Sequence, residues 1–355
     1  MVQKNSDYLL GALVEPLCLW YEKNKRRLPW RDDATPYHVW LSEIMLQQTR
    51  IEAAKEYYQR FTERLPDVQS LAAVSEEELM KLWEGLGYYN RARNLQRAAK
   101  LIVERYEGHL PASYDLLLEL PGIGSYTAGA ISSIAYGIPA PAVDGNVLRV
   151  TMRYLNCDDD IMKQSVRKKM EKAIMEIIPK ATPGEFNQAL MELGEVICIP
   201  NGQPLCEKCP LADGCQGHLE GRETELPVKP EKKKRRVQKR TILLLEYDGK
   251  FAIAKRPKKG LLAGLWEFPG IEGHLTLSEI RGFLKEQGVS GADVSRLQGG
   301  KHIFSHVEWH MRGYRIKLTA VPAEDMLSEI VWAEKDELWG KYAIPVALHG
   351  FLRQI

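Results

Sequence analysis

Along the first 218 positions the apolar residues recur every three or four places, the period of helices with one buried face. Leu79, Leu82 and Trp83 share a face, and Ala98, Leu101, Ile102 and Arg105 continue a second helix. Phe186–Gly194 reads as a third, and Tyr8–Pro16 as an amphipathic helix at the start. Thr35-Pro36 is a helix start, a capping hydroxyl followed by proline in the first turn. Breaks fall at Leu65-Pro66, Gly85-Leu86-Gly87, Gly108 and Pro121-Gly122. The pattern predicts an all-α region. After Thr241 the texture changes: Thr241–Tyr247, then Asp248-Gly249, then Lys250–Lys255 predicts strand, tight turn, strand. A strand-rich stretch is expected from His302 to Val321 and a helix near Leu277–Gln287, an α+β domain. No internal repeat is visible.

A chain of 355 residues has room for two or three such domains, and 45% hydrophobic with 27% charged residues is the balance of a globular protein. No apolar run is long enough to cross a bilayer, and the Tyr8–Pro16 stretch carries an acid and a proline that a signal peptide would not. A monomer in the cytoplasm is expected. The net charge of +2 hides a basic segment: Arg222 to Arg240 holds nine basic and three acidic residues. Lys232-Lys233-Lys234-Arg235-Arg236 within it reads as a solvated linker, a nucleic-acid contact or a nuclear-import signal.

Candidate chemistry lies in three places. Cys198, Cys206, Cys209 and Cys215 sit within eighteen residues, with gaps of seven, two and five. In a reducing compartment such a group holds a metal centre, and spacing alone does not separate zinc from an iron–sulfur cube. Glu43 is the one acid of an otherwise apolar helix, with Val39 and Trp40 one turn back and Leu46 and Gln47 one turn on. No basic partner lies along the helix, so its pKa is expected to rise as a general acid requires. Leu120-Pro121-Gly122-Ile123-Gly124 predicts a hairpin between two helices, the second starting at Ser125 or Tyr126. Its glycines leave backbone N–H groups for an anion such as a DNA phosphate. Downstream, Asp144 sits on a glycine turn, Val143-Asp144-Gly145-Asn146. One carboxyl on a helix and one on a loop are the usual equipment for breaking a glycosidic bond.

The hairpin Leu120–Ala128, the Asp144 turn and the trailing cysteines resemble the helix-hairpin-helix DNA glycosylases with an iron–sulfur cluster. Trp40–Thr49 and Gly85–Leu95 look like the MutY branch of that family, and the resemblance covers essentially the whole chain. It implies one 4Fe-4S cluster on the four cysteines, and excision of adenine opposite 8-oxoguanine or guanine in double-stranded DNA. Glu43 and Asp144 would be the catalytic acids, with Tyr126 and Asn146 tuning Asp144. Arg31 and Gln188 would line the base pocket, and Gln48, Tyr88, Gly122 and Gly124 would meet DNA. Lyase-type relatives carry a lysine where this chain has Tyr126, which implies a monofunctional glycosylase. The C-terminal part resembles the MutT-like (Nudix) domain of the branch, with Phe304, Ser305 and His306 as the 8-oxoguanine reader. Its Nudix helix is degenerate, because Gly282 and Lys285 replace magnesium-holding acids.

The implied layout is a helical region over 1–219, with a hairpin module near 31–137 and a cluster module from 1–30 and 138–219. A basic linker over 220–240 and a MutT-like domain over 241–355 follow. Two features depart from the branch. The first cysteine loop, Ile199–Leu205, is one residue longer than usual and leaves Lys208 as its candidate phosphate contact. Gln188 stands where relatives carry glutamate, and an amide can still pair with an adenine edge. A relative with other base specificity, or a non-catalytic iron–sulfur protein, are the alternatives.

Overall fold

A computed structural model of the chain describes residues 6–230, 234–289, 291–320 and 330–355. The chain forms two compact units, one from residues 1–73 and 93–231, the other from 74–92 and 232–355. Chain order runs α1 (Ser6–Asn24), α2 (Pro29–Asp32), α3 (Pro36–Leu46), α4 (Ile51–Arg64), α5 (Val68–Ala73), α6 (Glu76–Leu82) and α7 (Asn90–Tyr106). Then come α8 (Tyr114–Leu118), α9 (Ser125–Ala130), α10 (Gly145–Tyr154), α11 (Gln164–Ile177), α12 (Pro183–Val196) and α13 (Gln216–Leu219). Among the described residues no strand precedes Arg236 and no helix is long and apolar enough to cross a membrane.

In the first unit, α1 runs on past Pro16. Leu10, Leu13, Leu17 and Tyr21 are buried at helical spacing against Val147 and Leu148 of α10, Met170 and Ile174 of α11, and Phe186 and Leu190 of α12. Burial of that stripe outweighs the hydrogen bond that proline removes. The start of α3 is as its sequence predicts: the Thr35 hydroxyl accepts from the His38 N–H at 3.3 Å, and Pro36 takes the first helical position.

The second unit carries β1 (Arg236–Tyr247), β2 (Lys250–Lys255), β3 (Trp266–Glu267), β4 (Gly270–Glu272), α14 (Leu277–Glu286), β5 (Asp293–Ile303), β6 (Val307–Lys317), β7 (Ile330–Ala333), α15 (Lys335–Gly340) and α16 (His349–Leu352). Its sheet runs β3-β2-β1-β6-β5, with β4 on β1 and β7 on β2. β1 and β6 are parallel, and the other pairs are antiparallel. The expected hairpin is present: Tyr247 faces Lys250, and Asp248 and Gly249 both take positive φ, 48° and 73°, as a two-residue turn of the right twist requires. Ile242 and Leu244 face one core with Leu348 and Phe351, while Leu243 and Leu245 face another with Ile280 and Leu284 of α14. The unbroken apolar run of β1 thus reflects a strand covered on both sides.

Three expectations need correction. The stretch from His302 is the end of β5, a turn over 304–306 and β6, and Val321 lies outside the described residues. The expected 220–240 linker is occupied at both ends. Leu226 O accepts from Arg153 Nε at 2.9 Å and Arg222 pairs with Asp158 at 2.5 Å, while Arg236 opens β1 opposite Val307. Backbone and charge partners order those segments despite their polar composition; Lys232 and Lys233 lie outside the described residues. Finally, residues 74–92 pack with the C-terminal unit. Glu84 accepts from His349 Nε2 at 2.8 Å, and Lys81 Nζ donates to Tyr342 O at 3.1 Å. Contacts of that sequence separation leave no trace in local periodicity.

Candidate active site and cysteine cavity

In the first unit α2, α3, α9, α10 and α12 surround a cavity of about 530 Å³, within the range of ligand sites. Its walls include Arg31, Glu43, Gln48, Tyr126, Asp144, Asn146 and Gln188. Seven residues singled out from sequence therefore meet at one place.

Glu43 projects from the buried side of α3 and is 8% exposed. Burial pushes its carboxyl up to about 7. The Tyr126 hydrogen bond opposes that rise, Asp144 adds to it, and Arg31 opposes it. Tyr126 reaches Glu43 because the hairpin directs it there. Gly122 turns the chain with φ 81°, Gly124 caps α9, and Tyr126 is the second residue of that helix. The Tyr126 hydroxyl donates to Glu43 Oε2 and touches Met191 Sδ at 3.2 Å, so its hydrogen-bond partner is Glu43 and not Asp144 as expected from the sequence. Burial and the two neighbouring carboxylates push this phenol well above its usual value.

Asp144 is the N-cap of α10 and accepts from the Val147 N–H at 2.8 Å. Asn146 Nδ2 donates to its other oxygen at 2.9 Å. Burial raises the Asp144 pKa, against the N–H donors and the Arg149 charge, which favour the ionised form. Asn146 is itself held: Arg149 Nη2 donates to Asn146 Oδ1 at 2.8 Å and to Gly194 O at 2.6 Å, and Arg149 Nε donates to Cys198 O at 2.7 Å. Gly194 lets α12 come this close, since a Cβ there would lie 2.7 Å from Asn146 Cβ.

Sequence reasoning missed part of this wall. Arg31 Nη2 donates to Glu192 Oε2 at 2.8 Å and Arg31 Nη1 to Arg26 O at 3.0 Å. Arg26 Nε donates to Glu192 Oε1 at 2.6 Å. Arg26 and Arg31 lie more than 160 positions from Glu192, so the only signal was an acid inside the apolar α12 stretch. Arg149, which braces Asn146 three positions away and joins it to Gly194 and Cys198, was missed as well.

The four cysteines line a second cavity, walled by Val150, Tyr154, Leu193, Ile197 and Leu211. Arg153 Nη1 donates to Cys198 Sγ at 3.2 Å and to Ile199 O at 3.0 Å. Burial, with the neighbouring sulfurs and, for Cys206, Glu223, pushes the Cys206 thiol up to about 11 and Cys209 to about 12. A metal centre would displace those protons. His218 and Glu223, not foreseen, lie close to Cys206.

The remaining candidates belong to the second unit. Tyr88 is 48% exposed at φ 47°, and its hydroxyl shares a hydrogen bond of 2.6 Å with Ser305 Oγ. Phe304 packs edge-on against Trp309, with ring centroids 5.0 Å apart, and His306 is exposed.

Residues 41–179 match the HhH-GPD superfamily of base excision DNA repair proteins, and residues 240–354 match the NUDIX domain. The chain is 33% identical to an adenine DNA glycosylase of Mus musculus, over 92% of this chain and 74% of that one. It is 35% identical to an adenine DNA glycosylase of Buchnera aphidicola subsp. Schizaphis graminum, over 82% and 84%. Among solved structures, endonuclease III trapped in a covalent complex with DNA superposes with a TM-score of 0.52 at 27% identity, covering 61% of this chain and 98% of that one.

The raised acidity constant of Glu43 has a consequence for stability. The folded chain holds this proton more tightly than the unfolded chain, whose carboxyl titrates near 4.5. The contribution is complete below that value and is lost as pH rises through about 7, at ~1.4 kcal/mol for each pH unit between the two. Glu43→Gln, which stays neutral, should therefore gain stability over the parent between pH 4.5 and 7 and hold that gain above. Denaturant titrations at pH 4.5, 6 and 8 check this, and a gap independent of pH would refute it.

Proposed function

The chain belongs to the adenine DNA glycosylase family, enzymes of base excision repair, and we propose that it removes adenine mispaired with 8-oxoguanine or guanine from double-stranded DNA. The observation that carries this reading is a buried carboxyl with an acidity constant near neutrality, Glu43, in one cavity with the hydrogen-bonded carboxyl of Asp144. The adenine is taken out of the stack into that cavity. Glu43 donates its proton to N7 of the base, and the C1′–N9 bond breaks with its electron pair going to the departing neutral adenine. Asp144 stabilises the cationic sugar until water adds at C1′ and gives up a proton to the Glu43 carboxylate, which restores the acid. Tyr126 keeps Glu43 in place, and Asn146 keeps Asp144 in place. With a phenol at position 126 and no amine there, the hairpin offers no Schiff-base nucleophile, in keeping with a monofunctional hydrolase.

Arg31 and Gln188 line the base pocket. Gln48 in the first unit and Tyr88 in the second are each DNA contacts, a role supported by their left-handed backbones, φ 60° and 47°. Such strain costs on the order of 1–3 kcal/mol and clusters at functional sites. Gly122 and Gly124 present hairpin N–H groups to a phosphate. In the second unit Ser305, flanked by Phe304 and His306, reads 8-oxoguanine. The exposed face of α14 carries Gly282 and Lys285 where magnesium would need acids, so this unit binds without hydrolysing. The enzyme acts as a cytoplasmic monomer on the nucleoid.

The four thiols that line the cysteine cavity are a donor set suited to one 4Fe-4S cluster, which supports the reading that the resemblance implies. When bound, the cluster supplies folding free energy that holds the 198–215 loop against α10 and α12.

Duplexes with adenine opposite 8-oxoguanine or guanine, followed by alkali, should report excision by the purified protein. Glu43→Gln should lose ~10²- to 10⁴-fold in rate; excision of thymine instead of adenine would overturn the substrate. Ser305→Ala should shrink the preference for 8-oxoguanine over guanine by roughly tenfold or more while excision persists, and an unchanged preference would remove Ser305 from the reader. Metal analysis should find about four irons per chain, lost in Cys206→Ser; stoichiometric zinc would contradict the cluster.

A further inference from the structure

Glu192 lies in the wall of the cavity and takes no part in the chemistry above. Its side chain is 1% exposed, yet it is saturated with cationic partners. One oxygen accepts from Arg26 Nε at 2.6 Å and the Arg26 N–H at 3.2 Å, and the other accepts from Arg31 Nη2 at 2.8 Å and Arg26 Nη2 at 3.2 Å. A buried carboxylate left without those partners would be costly, so its retention facing a ligand cavity asks for a reason. Arg31 is held by three contacts: one N–H of Nη1 goes to Arg26 O, one of Nη2 goes to Glu192, and the guanidinium lies 5.6 Å from the Tyr21 ring centroid. Its Nε–H is buried and has no partner.

We propose that Glu192 is a positioning residue that pins Arg31 and compensates part of its charge, so that this cation lines the cavity without stripping the proton from Glu43. Charged and polar groups face Glu43 from several elements. Tyr126 from α9 donates to it, Asp144 at the cap of α10 favours its protonated form, and Arg31 from α2 favours its loss of a proton. Arg26, Arg167 on α11, and Glu192 and Glu195 on α12 complete the charged lining. With Glu192 ionised beside it and shared with Arg26, the Arg31 charge is compensated in part at the distance of a hydrogen bond. Without it, a full cation acts across a poorly solvated space, where Coulomb interactions are strong. Burial alone would raise the Glu192 pKa, but the hydrogen bonds and charges of Arg26 and Arg31 hold it low, so it is ionised wherever excision runs.

The proposal rests on Glu43 being the acid, and the test separates the two. Single-turnover excision of adenine opposite 8-oxoguanine is followed from pH 5 to 9 with the full-length parent, Glu192→Gln, and Arg31→Gln combined with Glu192→Gln. The high-pH fall of the rate should move down by about one pH unit in Glu192→Gln, as an uncompensated cation near a carboxyl does. It should return to the parental position or above in the double variant, where the cation is gone. Loss of packing alone would lower the plateau without moving the midpoint. An unmoved midpoint in Glu192→Gln, with excision still abolished by Glu43→Gln, overturns the role of Glu192 and leaves that of Glu43 standing. Should Glu192→Gln not fold, Arg31→Gln alone must shift the midpoint upward and Glu192→Asp must leave it in place, and failure of either overturns the proposal.

Discussion

Arg149 is the joint on which the first unit depends. It is 4% exposed and sits one turn into α10, where its guanidinium is shared among Asn146 Oδ1, Gly194 O and Cys198 O. Each contact fixes a different element: the turn that carries Asp144, the end of α12, and the start of the cysteine loop. Hydrogen bonds from a charged donor are individually strong, at ~1.5–3 kcal/mol. Removing the side chain would take a donor from three acceptors, of which the Gly194 carbonyl contact is buried. The geometry of Asp144 is thus set from behind, by the element that also anchors the cysteines.

On that frame two carboxyls are kept different. Glu43 lies on an apolar helix with one hydroxyl as its partner, and desolvation dominates, so the neutral acid persists to about pH 7. Asp144 lines the same cavity but receives the Val147 N–H and the Asn146 amide, which favour its charged form. A glycosidic bond needs this asymmetry, a proton for the leaving group and a negative charge for the sugar. Arg31 would erase it by favouring ionisation of Glu43, and the pairing with Glu192 contains that effect.

The features legible in the sequence were those encoded by neighbours in the chain. An isolated acid among Val39, Trp40, Leu46 and Gln47, the Gly122–Gly124 hairpin and the Asp144 turn each follow from a short window, and they meet in one cavity. The Asp248-Gly249 hairpin and the α14 boundaries were legible for the same reason. What escaped was long-range. Glu192 with Arg26 and Arg31, Arg149 with Cys198, the parallel pairing of β1 with β6, and the membership of residues 74–92 in the second unit all join distant positions. The basic stretch misled in the other direction. Composition suggested a linker to residue 240, but strand pairing claims it from Arg236 onward.

Everything proposed for the cavity turns on Glu43 holding its proton near neutral pH while Asp144 does not need to. The direct measurement is a pH titration of the Glu43 carboxyl in the full-length protein, by the carbon-13 resonance of glutamate side chains, assigned by comparison with Glu43→Gln. A midpoint near 7 is expected. A midpoint at the ordinary glutamate value of about 4.3 would contradict that assignment.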